Sequence, residues 1–461
     1  MNIVSLQILV VKTEKEIQMH NKYCNAKLIK KKLDNFVMGQ EQGTRAIAMA
    51  FAQHFLRIEA SEYYSGRKIT KDNVLLVGPT GCGKTETFRV LKSMAEEFGV
   101  PVCLFNALDF APTDSWKGSK CLASIFTEVF RQAAEVYFEK FDTEKDVEKQ
   151  KESITKIANN AIIVLDEIDK LRIRGEGNNR HFLTEYQSVL LKMVEGNTYE
   201  VDDITLKDLR KETAEKDDGQ KDNEEDVEIN SNEVDTTNMM FVFMGAFDGI
   251  EEITRGRLEE ERLNKEEKDL PARTMYQDTQ LGFLTVPQLA KKEEPVEYTY
   301  EQLIPTQEDI IQFGFMRELV GRISVRTVYK PLKEDVLFDI LLHCETSAYR
   351  EYQQRFVVNG HKLLCNRDAL KEISRIAVER GTGARGLRNI FSELLQDTMF
   401  ELSGEPCHHC LLRGKEMRAH KPPLLHKVDR FAKIRLRIER ERNKKLAEIA
   451  RIRAAISGRR K

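Results

Sequence analysis

Residues 74–85 read VLLVGPTGCGKT. Val74-Leu75-Leu76-Val77 is an apolar run of strand length, suited to burial on both faces. Gly78 to Thr85 then fills every fixed position of the G-x-x-x-x-G-K-[ST] phosphate-loop pattern. After it, Phe88, Leu91, Met94, Ala95 and Phe98 recur at helical spacing. Strand, glycine-rich turn, Lys-Thr and helix is the order in which this pattern binds a nucleotide. Gly78, Gly81 and Gly83 let the backbone curl so that successive N–H groups point at phosphate oxygens. The start of the following helix adds partial positive charge. Pro79, Thr80 and Cys82 complete the loop, and Glu86 follows it in the first helical turn. Lys84 is expected to reach the β- and γ-phosphates of ATP, and the Thr85 hydroxyl to ligate Mg²⁺.

Working outward, 461 residues leave room for two or three domains, and 41% hydrophobic content supports a substantial core. The formal net charge of −2 conceals local imbalance. No apolar stretch is long enough to span a membrane, so no membrane partner is expected. MNIVSLQILVVKTEKE lacks a basic n-region and a small-residue cleavage site, so no signal peptide is expected. The eight cysteines are scattered, apart from Cys407 and Cys410, and Cys82 lies inside the phosphate loop. That usage points to a reducing, cytoplasmic setting.

Further apolar runs, Val102 to Phe105, Ala161 to Leu165 and Phe241 to Met244, alternate with helical patterns. Strands separated by helices predict an α/β fold with a doubly wound parallel sheet. In such sheets ligands bind at the carboxyl ends of the strands, where the glycine loop falls. Ala161 to Leu165 ends in Asp166-Glu167, an apolar strand followed by two acids. In that position Asp166 would hold Mg²⁺ through water and Glu167 would polarise the attacking water. The alternative, a solvated acidic pair at a strand end, loses ground beside the glycine loop.

The predicted organisation is an N-terminal extension (1–30), a large P-loop domain (31–330), a small mainly helical domain (331–404) and a basic helical tail (405–461). Within the large domain an acidic insert spans about 199–237; from Glu200 to Asp235 there are 15 acids and 5 bases. Almost free of aromatics, it reads as poorly ordered. The small domain is expected to carry helices over Val336 to Phe356, Arg367 to Arg380 and Gly386 to Leu402, with little sheet. Val428 to Ile456 reads as a long basic helix, with Phe431, Ile434, Ile438, Ile449, Ile452 and Ile456 near one stripe. Lys427 to Lys461 holds 14 bases and 4 acids.

The segments DNFVMGQEQ, GPTGCGKT, IIVLDEIDK, LLKMVEGN, FMGAFDGIEEI, FGFMRELVGRISV and GTGARGLRNI occur in one order between about Leu33 and Gly404. On these motifs the chain resembles the ClpX family of AAA+ protein unfoldases. The resemblance implies roles residue by residue. Val37 and Met38 would pack on adenine, where the plainer reading is a helix-entry staple. Arg322 resembles the arginine finger that reaches the γ-phosphate bound by a neighbouring subunit. Arg385 resembles the sensor-2 arginine that contacts phosphate in cis. Either arginine could instead cap a helix or pair with an acid. An arginine supplied by a neighbour requires a closed ring, expected to be a hexamer.

The resemblance also places a pore loop at Ser115-Trp116-Lys117-Gly118, where Trp116 and Lys117 would grip unfolded or tagged polypeptide. Packing of this sole tryptophan at a domain surface is the alternative. Leu281-Gly282-Phe283 falls where the family docks onto a ClpP-type peptidase through apolar anchors. Three features depart from the family. Only Cys24 precedes the core, so its four-cysteine zinc domain is not expected here. The acidic insert stands where relatives carry a basic pore-entrance loop. Gly245-Ala246-Phe247 offers no clear polar sensor-1 residue. Cys407-His408-His409-Cys410, with His420 and His426, has loosely finger-like spacing. Reduced surface cysteines are the expectation, a zinc site the alternative.

The function expected is thus an ATP- and Mg²⁺-dependent ring unfoldase feeding a ClpP-type peptidase. A stand-alone remodelling chaperone is the alternative. A nucleic-acid motor, suggested by the basic tail, is disfavoured for want of an aromatic-rich basic groove.

Overall fold

The computed structural model describes residues 24–63, 70–111, 120–141, 146–174, 178–201, 204–205, 228–229, 232–269, 298–300, 302–405 and 408–427. The chain divides into two compact units, Met1–Pro331 and Leu332–Lys461.

The first unit is built on five parallel strands. These are β1 (Val74–Val77), β2 (Val102–Asn106), β3 (Ile162–Asp166), a later strand at Met240–Gly245 and a last one at Val325–Val328. Between β3 and the fourth of these come shorter strands that include β4 (Thr198–Val201) and β5 (Asn232–Asp235). The fourth and fifth sheet strands are therefore β6 and β7. Their order across the sheet is β7–β1–β6–β3–β2, with every pairing parallel. β1 and β6 are buried along their whole length, as central strands covered by helices on both faces must be.

Alternation along the strands separates two cores. Leu75, Val77, Phe241 and Phe243 join Phe126, Phe130 and Tyr186 on one face. Val74, Leu76, Val242 and Met244 join Phe51, Phe55 and Phe88 on the other. The covering helices include α1 (Ala26–Asp34), α2 (Glu41–Tyr63), α3 (Lys84–Phe98), α4 (Ile125–Lys140), α5 (Val147–Ala158) and α6 (Asn178–Glu195). They are followed by α7 (Ile250–Asp269), α8 (Gln307–Phe313) and the short α9 (Arg317–Val320).

Three expectations need correction. The ends of the acidic insert are ordered: β4 and β5 pair antiparallel, from Thr198 opposite Asp235 to Val201 opposite Asn232. Apolar anchors explain this, because Val201 and Val234 are buried and Tyr199 stacks on Phe126 with ring centroids 4.4 Å apart. The single helix expected over Val336 to Phe356 is two, α10 (Glu334–His343) and α11 (Ala348–Val358). Cys344 turns extended, and the Ser347 hydroxyl accepts the Arg350 amide to start the second helix. Finally, residues 408–427 are not tail helix. With α12 (Arg367–Glu379) and α13 (Gly383–Glu401), the second unit holds a three-stranded sheet. Its strands are β8 (Lys362–Cys365), β9 (His408–Leu412) and β10 (Leu424–Lys427), with β8–β9 parallel and β9–β10 antiparallel. Alternation along β9 turns Cys410 and Leu412 into the core. The expected helix over Val428 to Ile456 lies outside the described residues.

Candidate functional site

The glycine loop leaves β1 at the carboxyl edge of the sheet. Gly81 and Gly83 adopt positive φ, 77° and 101°, which side-chain-bearing residues rarely accept. Gly78 is required by space. A Cβ there would lie 2.9 Å from Tyr329 Cβ and from the Tyr329 carbonyl oxygen. The Lys84 ammonium donates to the carbonyls of Gly78 and Pro79, the latter at 2.9 Å, and so sits over the loop mouth. Thr80 is exposed, while Cys82 is buried, which pushes its thiol pKa up despite Lys84 nearby. Glu86 stands in the first turn of α3.

Several residues brace this loop that sequence reasoning missed. Gln40 is buried; its amide donates to Lys330 O at 2.8 Å and to Cys82 O at 3.3 Å, and accepts the Lys330 amide at 2.7 Å. One side chain thereby ties the loop to the strand exit after β7. The Tyr329 and Thr87 hydroxyls lie 2.7 Å apart, and Thr87 donates to Gly83 O at 2.9 Å. Val37 is buried, with its Cγ1 3.2 Å from where a Gly83 Cβ would stand. Met38 beside it is half-buried. The expected adenine-contact pair is therefore next to the loop.

β3 delivers the two acids. Asp166 Oδ2 lies 3.5 Å from Thr85 Oγ1, and Asp166 Oδ1 accepts the Glu167 amide at 2.8 Å. Burial raises the Asp166 pKa, while the Glu167 amide and the Lys84 charge act against that shift. A hydroxyl and a carboxylate this close, with room for water beside exposed Glu167, suit a hard cation such as Mg²⁺. Glu167 holds φ at 59°, a left-handed conformation that costs a non-glycine residue on the order of 1 kcal/mol. Its side chain is exposed.

Asp169 sits in the 3₁₀ turn after Glu167 and is buried. Its Oδ1 accepts the Ala246 amide at 3.2 Å, just past the end of β6. A Cβ on Gly245 would come 2.3 Å from that oxygen, so the glycine makes room for the carboxylate. A polar group thus meets the end of β6 from the turn after β3 rather than from β6 itself.

Arg322 follows α9. Its guanidinium donates to Glu195 at 2.6 Å, and its carbonyl accepts the buried Asn73 amide at 2.8 Å. Gln187, buried in α6, links this segment to the acids. Its amide donates to Leu171 O at 2.9 Å and Gly314 O at 3.3 Å, and accepts the Met316 amide at 2.8 Å. Only the tertiary structure reveals Gln187 and Asn73, since a lone buried amide leaves no pattern in sequence.

Arg385 is exposed on α13, in the second unit. Trp116, Lys117, Leu281, Gly282 and Phe283 lie outside the described residues. Among the described residues, no group of three or more His, Cys, Asp or Glu side chains could hold a metal. Cys410 is buried rather than on the surface, His409 faces His426 across β9 and β10, and Cys407 is outside the described residues. No described helix is long and apolar enough to cross a membrane.

Comparison with known proteins agrees with this geometry. The model of the ATPase family associated with various cellular activities (AAA) matches residues 74–262. The ATP-dependent Clp protease ATP-binding subunit ClpX of Borrelia duttonii (strain Ly) is 30% identical over 381 residues, covering 82% of this chain and 74% of that protein. The same-named protein of Borrelia recurrentis (strain A1) aligns equally, 30% over 381 residues with 82% and 74% covered. That of Treponema denticola is 28% identical over 393 residues, covering 84% of this chain and 80% of the relative. With a complete phosphate loop, paired acids on the adjacent strand and this extent of similarity, the chain is an ATPase and belongs to the ClpX family of AAA+ proteins.

Proposed function

We propose that this ATPase is a ring-forming protein unfoldase that feeds polypeptide to a ClpP-type peptidase in the cytoplasm. The observation that carries the reading is the Lys84, Thr85, Asp166 and Glu167 constellation in a chain alignable with ClpX relatives over 82% of its length. Gly78 to Glu86 hold the triphosphate, with Val37 and Met38 against adenine. Lys84, held over the loop by two carbonyls, exchanges them for phosphate oxygens when ATP enters. Thr85 and Asp166 hold Mg²⁺, which when bound neutralises charge developing on the phosphates. Glu167, exposed beside Asp166, orients the attacking water. Arg322 acts on the nucleotide of a neighbour in a hexamer, and Arg385 on the nucleotide of its own subunit.

Hydrolysis would change the angle between the two units, a hinge motion, and carry Trp116 and Lys117 along the pore with bound polypeptide. Leu281, Gly282 and Phe283 would anchor the ring on the peptidase. The deciding experiment is substrate trapping with Glu167→Gln, which keeps the phosphate site but lacks the carboxylate that activates water. It should retain ATP and co-purify bound polypeptide. Wild-type turnover by this variant would remove Glu167 from the mechanism. Phe283→Ala should keep ATPase and unfolding activity while losing ClpP-dependent degradation. Unchanged degradation would dismiss the docking role, and absence of any ClpP-dependent degradation by the wild type would favour the stand-alone chaperone.

A further inference from the structure

Arg322 stands in the turn between α9 and β7. Gly321, Arg322 and Ser324 are exposed there, and Ile323 is buried. The guanidinium pairs with Glu195, but both side chains meet solvent, so the pair restrains the arginine weakly. Surface turns are mobile unless their backbone is tied to the scaffold.

The tie is Asn73, the residue before β1, which is 2% exposed. Its side-chain amide donates to the Arg322 carbonyl at 2.8 Å, and its Oδ1 accepts the Phe241 amide at 3.1 Å. Its backbone carbonyl accepts the Val325 amide at 3.0 Å. One residue thereby joins the amino ends of β1, β6 and β7 and closes on Arg322. Beside it, Asp72 accepts the Ser324 hydroxyl at 2.9 Å. A carboxamide this buried is costly to leave unpaired, so the restraint on the Arg322 backbone is the stronger of the two.

The same strand runs on from Asn73 through Val74–Val77 to the glycine loop at Gly78. That length of parallel strand covers about 16 Å. Arg322 is thus fixed at the amino edge of the sheet, at the other end of the strand that carries its own subunit's phosphate loop. Action on a neighbour's nucleotide calls for such a placement. It also calls for precision, since a misplacement of about 1 Å arising far from the chemistry can cost roughly 10²-fold in rate.

Resting on the reading of Arg322 as the arginine that serves a neighbouring subunit, we propose that Asn73 is its positioning residue. The carboxamide holds the Arg322 backbone, so that the guanidinium, on leaving Glu195, meets the neighbour's γ-phosphate in one geometry. Asn73 itself touches no nucleotide. Its effect falls on the site of the next subunit, while the site of its own subunit is left intact. That asymmetry separates positioning from mere closure of the sheet end.

The test is steady-state ATPase activity of the assembled full-length chain, with nucleotide affinity and thermal unfolding followed in parallel. Asn73→Asp keeps an acceptor for the Phe241 amide and removes the amide donor to Arg322. It should lower kcat about tenfold or more and leave KM and the affinity for a fluorescent ATP analogue within about twofold. Mixed with Glu167→Gln subunits it should regain turnover, as Arg322→Ala should, because the well-placed arginine then comes from the other subunit. Wild-type kcat in Asn73→Asp beside an impaired Arg322→Ala would overturn the assignment of Asn73 alone. So would loss of affinity with no recovery on mixing, which marks damage to the subunit that carries the change. Wild-type kcat in Arg322→Ala, or its failure to recover on mixing, would overturn the reading of the arginine and this inference with it. If Asn73→Asp is unfolded, Ser324→Ala decides, because it removes the hydroxyl tie to the same turn at an exposed position. A fall in kcat of about twofold or more that mixing reverses supports the proposal, and an unchanged kcat overturns it.

Discussion

The Arg322 guanidinium is bonded to the Glu195 carboxylate of its own chain, 2.6 Å from Oε1. Both side chains are substantially exposed, 55% and 39%. An exposed pair of this kind contributes at most about 1 kcal/mol and exchanges readily for a better partner. Arg322 is therefore held within reach of solvent while its backbone is anchored by Asn73. Glu195→Gln should change unfolding free energy by less than about 1 kcal/mol, measured by denaturant titration. Arg322→Ala should leave nucleotide binding largely intact and cut hydrolysis sharply, by roughly 10³–10⁵-fold if it behaves as other arginine fingers do. Mixing Arg322→Ala with Glu167→Gln subunits should restore some activity if the arginine works across an interface. No recovery at any mixing ratio would place its action within one subunit.

The two ends of the hydrolytic site should separate cleanly. Lys84 donates to the loop carbonyls of Gly78 and Pro79 and is the group placed to meet phosphate. Lys84→Ala should abolish nucleotide binding, as followed with a fluorescent ATP analogue. Glu167→Gln should bind that analogue normally yet release no phosphate above background. If both variants lose binding alike, Glu167 supports the fold of the loop rather than the chemistry.

The contact between Gly78 and Tyr329 leaves no room for a methyl group. Gly78→Ala must push Tyr329 away, and overpacking of this kind costs typically about 1–3 kcal/mol. Tyr329→Phe removes a hydroxyl bonded to Thr87, a loss of about 0.5–1.5 kcal/mol, while Thr87 keeps its bond to Gly83. Nucleotide affinity should fall in the first variant and change little in the second. Equal affinities in Gly78→Ala and wild type would show that the loop relaxes freely.

Asp309 supplies a pH-dependent element away from the nucleotide. It is buried at the start of α8, where its carboxylate accepts Arg257 Nε at 3.0 Å, the Thr306 amide at 2.9 Å and the Thr254 hydroxyl at 3.1 Å. Burial alone would raise its pKa, but hydrogen bonds from Arg257 and the Thr306 amide outweigh it and the net shift is downward. Above the ordinary aspartate range, near pH 4, this contribution is fully present. It is lost as pH falls from there through the lower folded-state value, because the unfolded chain takes up the proton first. Asp309→Asn should destabilise the first unit at pH 7, by about 1–3 kcal/mol for a lost charge-assisted hydrogen bond, since Arg257 keeps Glu261. It should also flatten the loss of stability between pH 5 and 3, an acid window of about two units. An unchanged pH slope in urea titrations would assign that loss to other carboxylates.

The nucleotide loop, the acids after β3 and the parallel sheet were legible because each is a local pattern with a single physical meaning. Four apolar residues, a glycine turn and Lys-Thr at a helix start leave little freedom for anything but a phosphate cradle. The unbroken apolar runs of β1 and β6 likewise specified strands buried on both faces. What the sequence did not disclose is set by contacts between distant residues. Gln40 meets Lys330 across 290 positions of chain, and Gln187 meets Met316 across 129. Asp169 fills the space that Gly245 leaves, so a polar contact at the end of β6 comes from the turn after β3. The acidic insert looked unstructured from charge alone, yet Tyr199, Val201 and Val234 anchor its two ends in the core. Residues 408–427 looked like the start of a basic tail until Cys410 and Leu412 were seen packed in the second core, beside β8. Local pattern determined which segments are strands, helices and phosphate ligands. Pairing and burial decided where each one goes, because a strand gains its partners, and a lone buried amide its hydrogen bonds, only when distant parts of the chain meet.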